Sequence, residues 1–600
     1  MKTRFVVLVF FSVALTVSAQ PRPQPAAPEF MKGESRLIAR GDLEILTYET
    51  EEDFRKLEEL YDASQRSTPS PGTYTPQFFR SRMDGSVQSY ALWVPKDYDP
   101  ARRYPLLLQL HGISGKALAG RRHTWKGLPR EQWIDEYTPV LIAQCFGRGN
   151  TFYMGMGEVD IIEVREEIQR RFSVDPLRVF IMGHSMGGRG AFTVGLHQPG
   201  RYGNILATDP AMGVRTKPQT DPNIPDWMKP QLAVQMVSNL YPNARNVNVF
   251  FKNAGSGIGK LSTQDTDAIV AEGGFSTTEA FPGLPHNFQQ SFFSFAIFVP
   301  EAIHRPIERN PPEVKYYTTT LQYNRAYWMT IDRLIRHNAD ATVKATYDDG
   351  KPKPDYTLFN RERQPAPPTR PPSLAVATSN IEALTLRLSD APAPKGEAMP
   401  LRIDGAEVLN GPLPATVHFS KASGAWRVVP APDVRGKRHG LQGPIGDIFH
   451  SKFLAVYGEG DKDLAIAELN AVRNPQVRLD LHGDFPMKAA SKVSPEDLRT
   501  SNLILFGTPS TNTVLRRIAP QLPRRLMETS QGAGVIFVYP NPENPERYVA
   551  VWTGRLLSIL DNGLRPGFGS MLPVILLPDW VVVKDGKVAE GGHFDNDWKM

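Results

Sequence analysis

Gly183-His184-Ser185-Met186-Gly187 sets one serine between two glycines where an apolar run stops. The preceding residues, 178–182, read as a strand and residues 190–197 as a helix, so the serine falls on a strand-to-helix turn. A sharp turn of this kind pushes the serine Oγ into the open and requires small neighbours, which Gly183 and Gly187 supply. The chemistry that fits is nucleophilic attack on an acyl carbon, with the Met186 N–H as one donor to the oxyanion of the tetrahedral intermediate. The second donor is expected from "LLLQLHGISGKA", at the Ile113 N–H just after His111-Gly112. His111 is expected to brace that loop and His184 to pack within the turn.

A serine nucleophile needs a base, which should be a histidine late in the same domain, after an acid. The sequence holds 12 histidines, of which His197, His286 and His304 follow the serine before the apparent end of the domain. His286 lies in the Pro/Gly-rich "TTEAFPGLPHNFQQ", behind a possible strand over 277–281, and is the expected base. His197 sits on the helix leaving the turn and His304 in a connector, where structural roles are expected.

These residues need a rigid frame. "QSYALWVP", "YPLLLQLHG", "PVLIAQCFG", "RVFIMGHS", "NILATDP" and "VNVFFKNAG" are six strand candidates. Several are almost continuously apolar, as strands covered on both faces must be. Helical stretches such as residues 157–172 alternate with them, which predicts an α/β doubly wound domain over residues 74–305. From residue 306 to 432, runs such as "VKYYTTTLQY" and "ALTLRLS" alternate apolar and polar positions, predicting a β-sandwich. Tyr316, Tyr317, Tyr323, Tyr327 and Trp328 there could face a sugar, though at strand spacing they suit a core. Residues 433–600 suggest a smaller C-terminal α/β domain, and residues 20–73 a linker followed by a helix carrying Leu57, Leu60 and Tyr61 on one face.

Composition narrows the function classes. The 600 residues are 41% hydrophobic and 22% charged with a net charge of +6, without a long block of like charges, so nucleic-acid binding has no support. Residues 1–19 have the basic start, short apolar core and small-residue cleavage site of a signal peptide, implying a secreted or periplasmic protein with no membrane span. The single cysteine, Cys145, cannot form an intrachain disulfide and suits buried packing. No HExxH pattern or Cys/His cluster occurs, "LHGDF" at 481–485 offers too few ligands, and so neither metal nor cofactor is expected.

"SRMDGSVQSYALWVPKDYDPARRYPLLLQLHG", "GRGNTFYMGMGEVDIIEVREEIQRRFSVDPLRVFIMGHSMGG" and "FPGLPHNF" together resemble secreted α/β-hydrolases of the prolyl-oligopeptidase-family, polyhydroxybutyrate-depolymerase and feruloyl-esterase-like group. The resemblance implies Ser185 as nucleophile, His286 as base and Ile113 with Met186 as oxyanion donors. It also implies an acid near residue 258, where this chain has Ile258 and no carboxylate nearby. Asp209, directly after "NILAT", is the preferred substitute; Asp265 and Asp267 are the alternatives, although either could merely cap a helix. A carboxylic-ester hydrolase acting on acetyl or feruloyl esters of a small molecule or polysaccharide is the leading expectation. A prolyl-type serine peptidase and a weakened hydrolase scaffold with a binding role remain open, as does the oligomeric state.

Overall fold

The computed structural model describes residues 35–113, 139–211, 220–222, 224–254, 260–281, 286, 305–351, 368–393, 396, 398–473, 481–558 and 573–600. The signal segment 1–19, Ile258 and His304 lie outside them. No helix among the described residues is long and apolar enough to cross a membrane.

Eight strands form the sheet that carries the serine. Across the sheet they run Tyr74–Arg80, Val87–Trp93, Leu141–Cys145, Tyr104–Leu110, Val174–His184, Asn204–Thr208, Asn248–Ala254 and Phe275–Phe281. The first two pairings in this order are antiparallel and all later ones parallel. Continuous apolarity follows from two covered faces. Leu106, Leu108, Ile181 and Ala207 pack with Ile161, Val164, Phe192 and Leu196 of helices Met156–Arg171 and Met186–His197, while Leu107, Ile142, Phe180 and Leu206 form a core on the opposite face. The strand order reverses at Tyr104–Leu110, which neighbours both Leu141–Cys145 and Val174–His184. Such a reversal opens a crevice beyond the carboxyl ends of the strands.

Residues 313–429 build two five-stranded sheets facing each other. Their shared core holds Tyr316, Trp328, Trp426 and the inward residues of each strand, such as Val343, Val376 and Leu384. Tyr316 and Trp328 are therefore core residues, and Tyr317 donates to Asp340.

The third unit is a nine-stranded mixed sheet, in which Phe485–Ala489, Phe453–Tyr457, Asn502–Phe506 and Asn544–Trp552 run parallel. Its edge departs from the expectation of a linker over 20–73. Arg36–Arg40 and Leu43–Thr47 form a hairpin turned by Gly41, and the second strand pairs antiparallel with Phe485–Ala489. The amino-terminal hairpin thus belongs to the carboxy-terminal sheet, with Leu46 inside its core. Five-residue strands give a weak periodic signal, and the pairing partner lies more than 400 residues away in the chain. The following helix, Glu51–Arg66, starts with a capping box between Thr50 and Asp53 and packs Leu57 against Phe78 and Val87 of the eight-stranded sheet.

The units are stitched together by buried polar contacts. Arg148 is fully buried and pairs with Asp84 at 2.6 Å, while its carbonyl accepts from the His482 N–H of the third unit. The His482-Gly483-Asp484 segment is thereby structural: the Asp484 carboxylate accepts from Thr47 at 2.8 Å.

Candidate active site

Ser185 follows strand Val174–His184 and immediately precedes helix Met186–His197, with φ 55° and ψ −113°. A non-glycine residue in this region stores roughly 1–3 kcal/mol of strain and must be held from several sides. Its N–H donates to the Thr208 carbonyl at 2.9 Å, and its own carbonyl accepts from Ala211 at 2.9 Å and Arg189 at 3.1 Å. The flanking glycines answer to close backbone approach: a Cβ on Gly183 would stand 2.2 Å from the Gly187 carbonyl, and one on Gly187 2.2 Å from that of Leu110. Ser185 is only partly buried, whereas every other residue from Val179 to Phe192 is buried.

The helix starts directly at Met186, so the N–H groups of its first turn have no acceptor within the helix and point toward the serine side. Opposite lies the loop after Tyr104–Leu110. There His111 bridges the Gly112 and Phe146 carbonyls through its two ring nitrogens, at 2.7 and 3.0 Å, and burial pushes its pKa down. Its role is to brace the loop. Gly112 abuts the turn, since a Cβ there would lie 3.6 Å from Ser185 Cβ, and Ile113 stands beside it, exposed.

His286 lies over the elbow. Its ring centroid is 4.6 Å from that of His184, the residue before the serine. Its Nδ1 donates to the carboxylate of Asp209, which is fully buried at the end of strand Asn204–Thr208. Asp209 has φ 42° and donates its N–H to the Lys252 carbonyl at 2.6 Å, a turn that redirects its side chain out of the strand line. Asp265 is occupied elsewhere, buried in helix Lys260–Ala271 with the Tyr241 hydroxyl donating to it, and Asp267 on the same helix is exposed. His184 has both ring nitrogens buried without a partner among the described residues, and burial together with the neighbouring His286 holds its pKa down at about 4. A neutral, enclosed imidazole of this kind packs and does not titrate near neutrality. His197 is bound to Glu158 at 3.0 Å, at the far end of the helix from Ser185.

The Esterase family model matches residues 162–279, which run from the helix before the serine strand through most of the last strand of the sheet. That segment of the eight-stranded sheet is therefore similar to the esterases. A curated relative, S-formylglutathione hydrolase of Rattus norvegicus, is 46% identical over 48 residues, or 8% of this chain. That stretch spans only 17% of the relative's length. Among solved structures, fluorophosphonate-binding serine hydrolase F of Staphylococcus aureus is 16% identical with a TM-score of 0.31, over 39% of this chain and 100% of that one. A ferulic acid esterase is also 16% identical, with a TM-score of 0.30, over 39% of this chain and 99% of that one.

Within the hydrolase domain, one supporting residue escaped the sequence reading. Tyr153 is buried, donates its hydroxyl to the His111 carbonyl at 3.0 Å and sets its ring edge-on to the His111 ring at 5.5 Å. It thus props the loop carrying Gly112 and Ile113. Arg148, Phe152 and Tyr153 all adopt positive φ, near 55°. The signal available was the density of glycine and asparagine in "CFGRGNTFYMGMG", which marks a turn-rich segment after a strand end.

Proposed function

We propose that this protein is a serine ester hydrolase working through an acyl-enzyme on Ser185. The observation that carries the reading is the contact of His286 Nδ1 with the buried Asp209 carboxylate, with the His286 ring packed on His184, the residue before a strained, partly open serine. Asp209 fixes the imidazole tautomer with Nε2 as the proton acceptor and stabilises the imidazolium when it forms. His286 takes the Ser185 proton, Oγ attacks the acyl carbon, and the Met186 and Ile113 N–H groups receive the oxyanion. His286 then returns the proton to the leaving alcohol. Water, activated by the same base, releases the acid and restores the hydroxyl.

The leader-like residues 1–19 support action outside the cytoplasm, and the resemblance to feruloyl-esterase-like proteins supports acetyl or feruloyl esters on polysaccharide as substrates. The test is hydrolysis of aryl acetate, feruloyl and longer-chain esters by wild type and Ser185→Ala, with labelling by a fluorophosphonate. Ester turnover and labelling that both vanish in Ser185→Ala are expected. Turnover of a prolyl anilide alone would replace the esterase reading by a peptidase one, and failure of the wild type to label would remove the serine mechanism.

A further inference from the structure

The loop that carries Ile113 leans on residues outside its own strand. His111, two residues earlier, directs Nε2 at the Phe146 carbonyl at 3.0 Å and Nδ1 at the Gly112 carbonyl at 2.7 Å. Its own carbonyl accepts from the Tyr153 hydroxyl at 3.0 Å and lies against the start of the serine helix, 2.7 Å from where a Cβ on Gly187 would stand. Residues 146–153 therefore set where the His111 loop sits relative to Met186, and with it the spacing of the two N–H groups proposed as oxyanion donors.

That segment is under strain. Gly147, Arg148, Gly149, Phe152 and Tyr153 have φ between 54° and 92°. Glycine adopts such values freely, but arginine, phenylalanine and tyrosine rarely do, and they hold them only where surrounding contacts over-determine the backbone. Inside the serine-bearing unit, the Gly147 N–H donates to the Asp160 carboxylate at 3.1 Å.

The remaining hold comes from the third unit. Gly149 forms an antiparallel bridge with Leu481, and the Arg148 carbonyl accepts from the His482 N–H at 2.9 Å. The His482 ring stands edge-on between Phe146, at 5.3 Å, and Tyr48, at 6.0 Å. The Asp84 carboxylate that holds Arg148 at 2.6 Å also accepts from the Asp484 N–H at 3.0 Å. Gly483 sits against this pair, since a Cβ there would lie 3.0 Å from Arg148 Nη1 and 3.2 Å from Asp84 Oδ2. Phe146 is thus the junction: its carbonyl faces His111 and its ring faces His482.

We propose that the third unit holds the oxyanion loop in register through residues 481–484, with His482 as the positioning residue. The proposal rests on the acyl-enzyme reading and adds to it a contribution from a part of the chain some 300 residues beyond the nucleophile. A donor displaced by about 1 Å can cost about 10² in rate, and the loss of one donor costs 10²–10³. Removing the His482 ring while its backbone bond stays should therefore lower kcat by about 10- to 100-fold, with KM within about threefold of wild type.

The test uses full-length His482→Ala, His482→Phe, Gly483→Ala and Val549→Ala, assayed on an aryl acetate and titrated with an aryl trifluoromethyl ketone. Ser185 Oγ adds to the ketone carbon, the hydroxyl proton passes to His286, and the ketone oxygen becomes an oxyanion placed like that of the transition state. His482→Ala is expected to weaken this inhibitor by the same factor as kcat/KM while leaving the affinity for the product acid unchanged, a split that general loosening of the fold does not produce. His482→Phe restores a ring between Tyr48 and Phe146 and should stay within about threefold of wild type. Val549→Ala opens the core of the third unit three strands across from Phe485–Ala489; it should lower the melting temperature without changing kcat. Gly483→Ala presses on the Arg148–Asp84 pair and should lower kcat by about threefold or more, which keeps the test in hand should His482→Ala not fold. Unchanged kcat in folded His482→Ala, or in Gly483→Ala where the former does not fold, would overturn the proposal while leaving the acyl-enzyme reading intact. So would an equal kcat loss in Val549→Ala, or inhibitor affinity that stays level as kcat falls. A wild type that neither turns over the ester nor labels with a fluorophosphonate would overturn both.

Discussion

Replacing Asp209 by asparagine tests the proposed catalytic arrangement at its least expected residue. Asparagine is close in shape and, with aspartate, tolerates the left-handed backbone that φ 42° imposes, so the fold should be retained. The chemistry should not be. When His286 takes the serine proton, a positive imidazolium sits against a fully buried carboxylate. At a separation of about 3 Å and an effective dielectric of about 20, the attraction is about 5 kcal/mol, worth roughly 10⁴ in rate. A triad aspartate changed to asparagine in a serine protease costs a factor of the same order, because the amide also holds the wrong tautomer. We expect kcat and kcat/KM for an aryl acetate to fall together by about 10³–10⁴, with an unchanged melting temperature. Asp265→Asn should stay within a few-fold of wild type, because Asp265 is engaged by Tyr241. The decisive arm is the cycle with His286→Ala: once the base is gone, removing the Asp209 charge should cost almost nothing further. Full activity in a folded Asp209→Asn enzyme, or additive losses in the cycle, would refute the assignment.

Three other outcomes follow from the same geometry. Gly187→Ala would drive a Cβ to 2.2 Å from the Leu110 carbonyl and 2.7 Å from that of His111, both backbone atoms that cannot rotate away; about 1–3 kcal/mol of stability and most fluorophosphonate labelling should be lost, read by urea unfolding and gel labelling. Ser185→Ala should retain the wild-type fold, and its melting temperature should rise or stay level, because alanine removes the hydroxyl but leaves the strained φ. For His184, burial and the neighbouring His286 lower the pKa from 6.5 to about 4, so above pH 6.5 both folded and unfolded forms are neutral and stability is complete. As the pH falls from 6.5 toward 4 the unfolded chain takes up a proton that the folded one refuses, and up to about 3 kcal/mol is lost. Urea midpoints at pH 7.5 and 4.5 should therefore diverge less in His184→Leu than in wild type; an equal drop in both would remove His184 as the cause.

The eight-stranded sheet was legible because its strands carry their signal locally. Apolar runs such as "LLLQL" and "VFIMG" are covered on both faces, and the serine turn announces itself through glycines that backbone contact demands at 183 and 187. Helix 190–197 was read too short at its start, since helix Met186–His197 begins within the glycines, where propensity alone argues against helix. The hairpin Arg36–Thr47 was illegible for the opposite reason. Its residues look like any short polar connector, and what makes them strands is the exposed edge of Phe485–Ala489, brought there by the whole intervening fold. Pairing across such a separation leaves no periodic trace in either segment.

Where the proposed acid sits illustrates how far local signals reach. Asp209 follows the apolar "NILAT" and Asp265 the polar "KLSTQ", and each has an ordinary structural use, in a turn or a helix start. What separates them is the order of strands. Asn204–Thr208 is the immediate neighbour of the serine strand, and the Ser185 N–H is bonded to the Thr208 carbonyl, so the residue after Thr208 is bound to emerge within reach of the elbow. In the proposed arrangement nucleophile and acid lie 24 residues apart in the chain, at two strand ends tied by direct backbone hydrogen bonds. The histidine then has its carboxylate from the strand beside the serine, and the sequence "GSGIG" at 255–259 can lack one without leaving His286 unpaired.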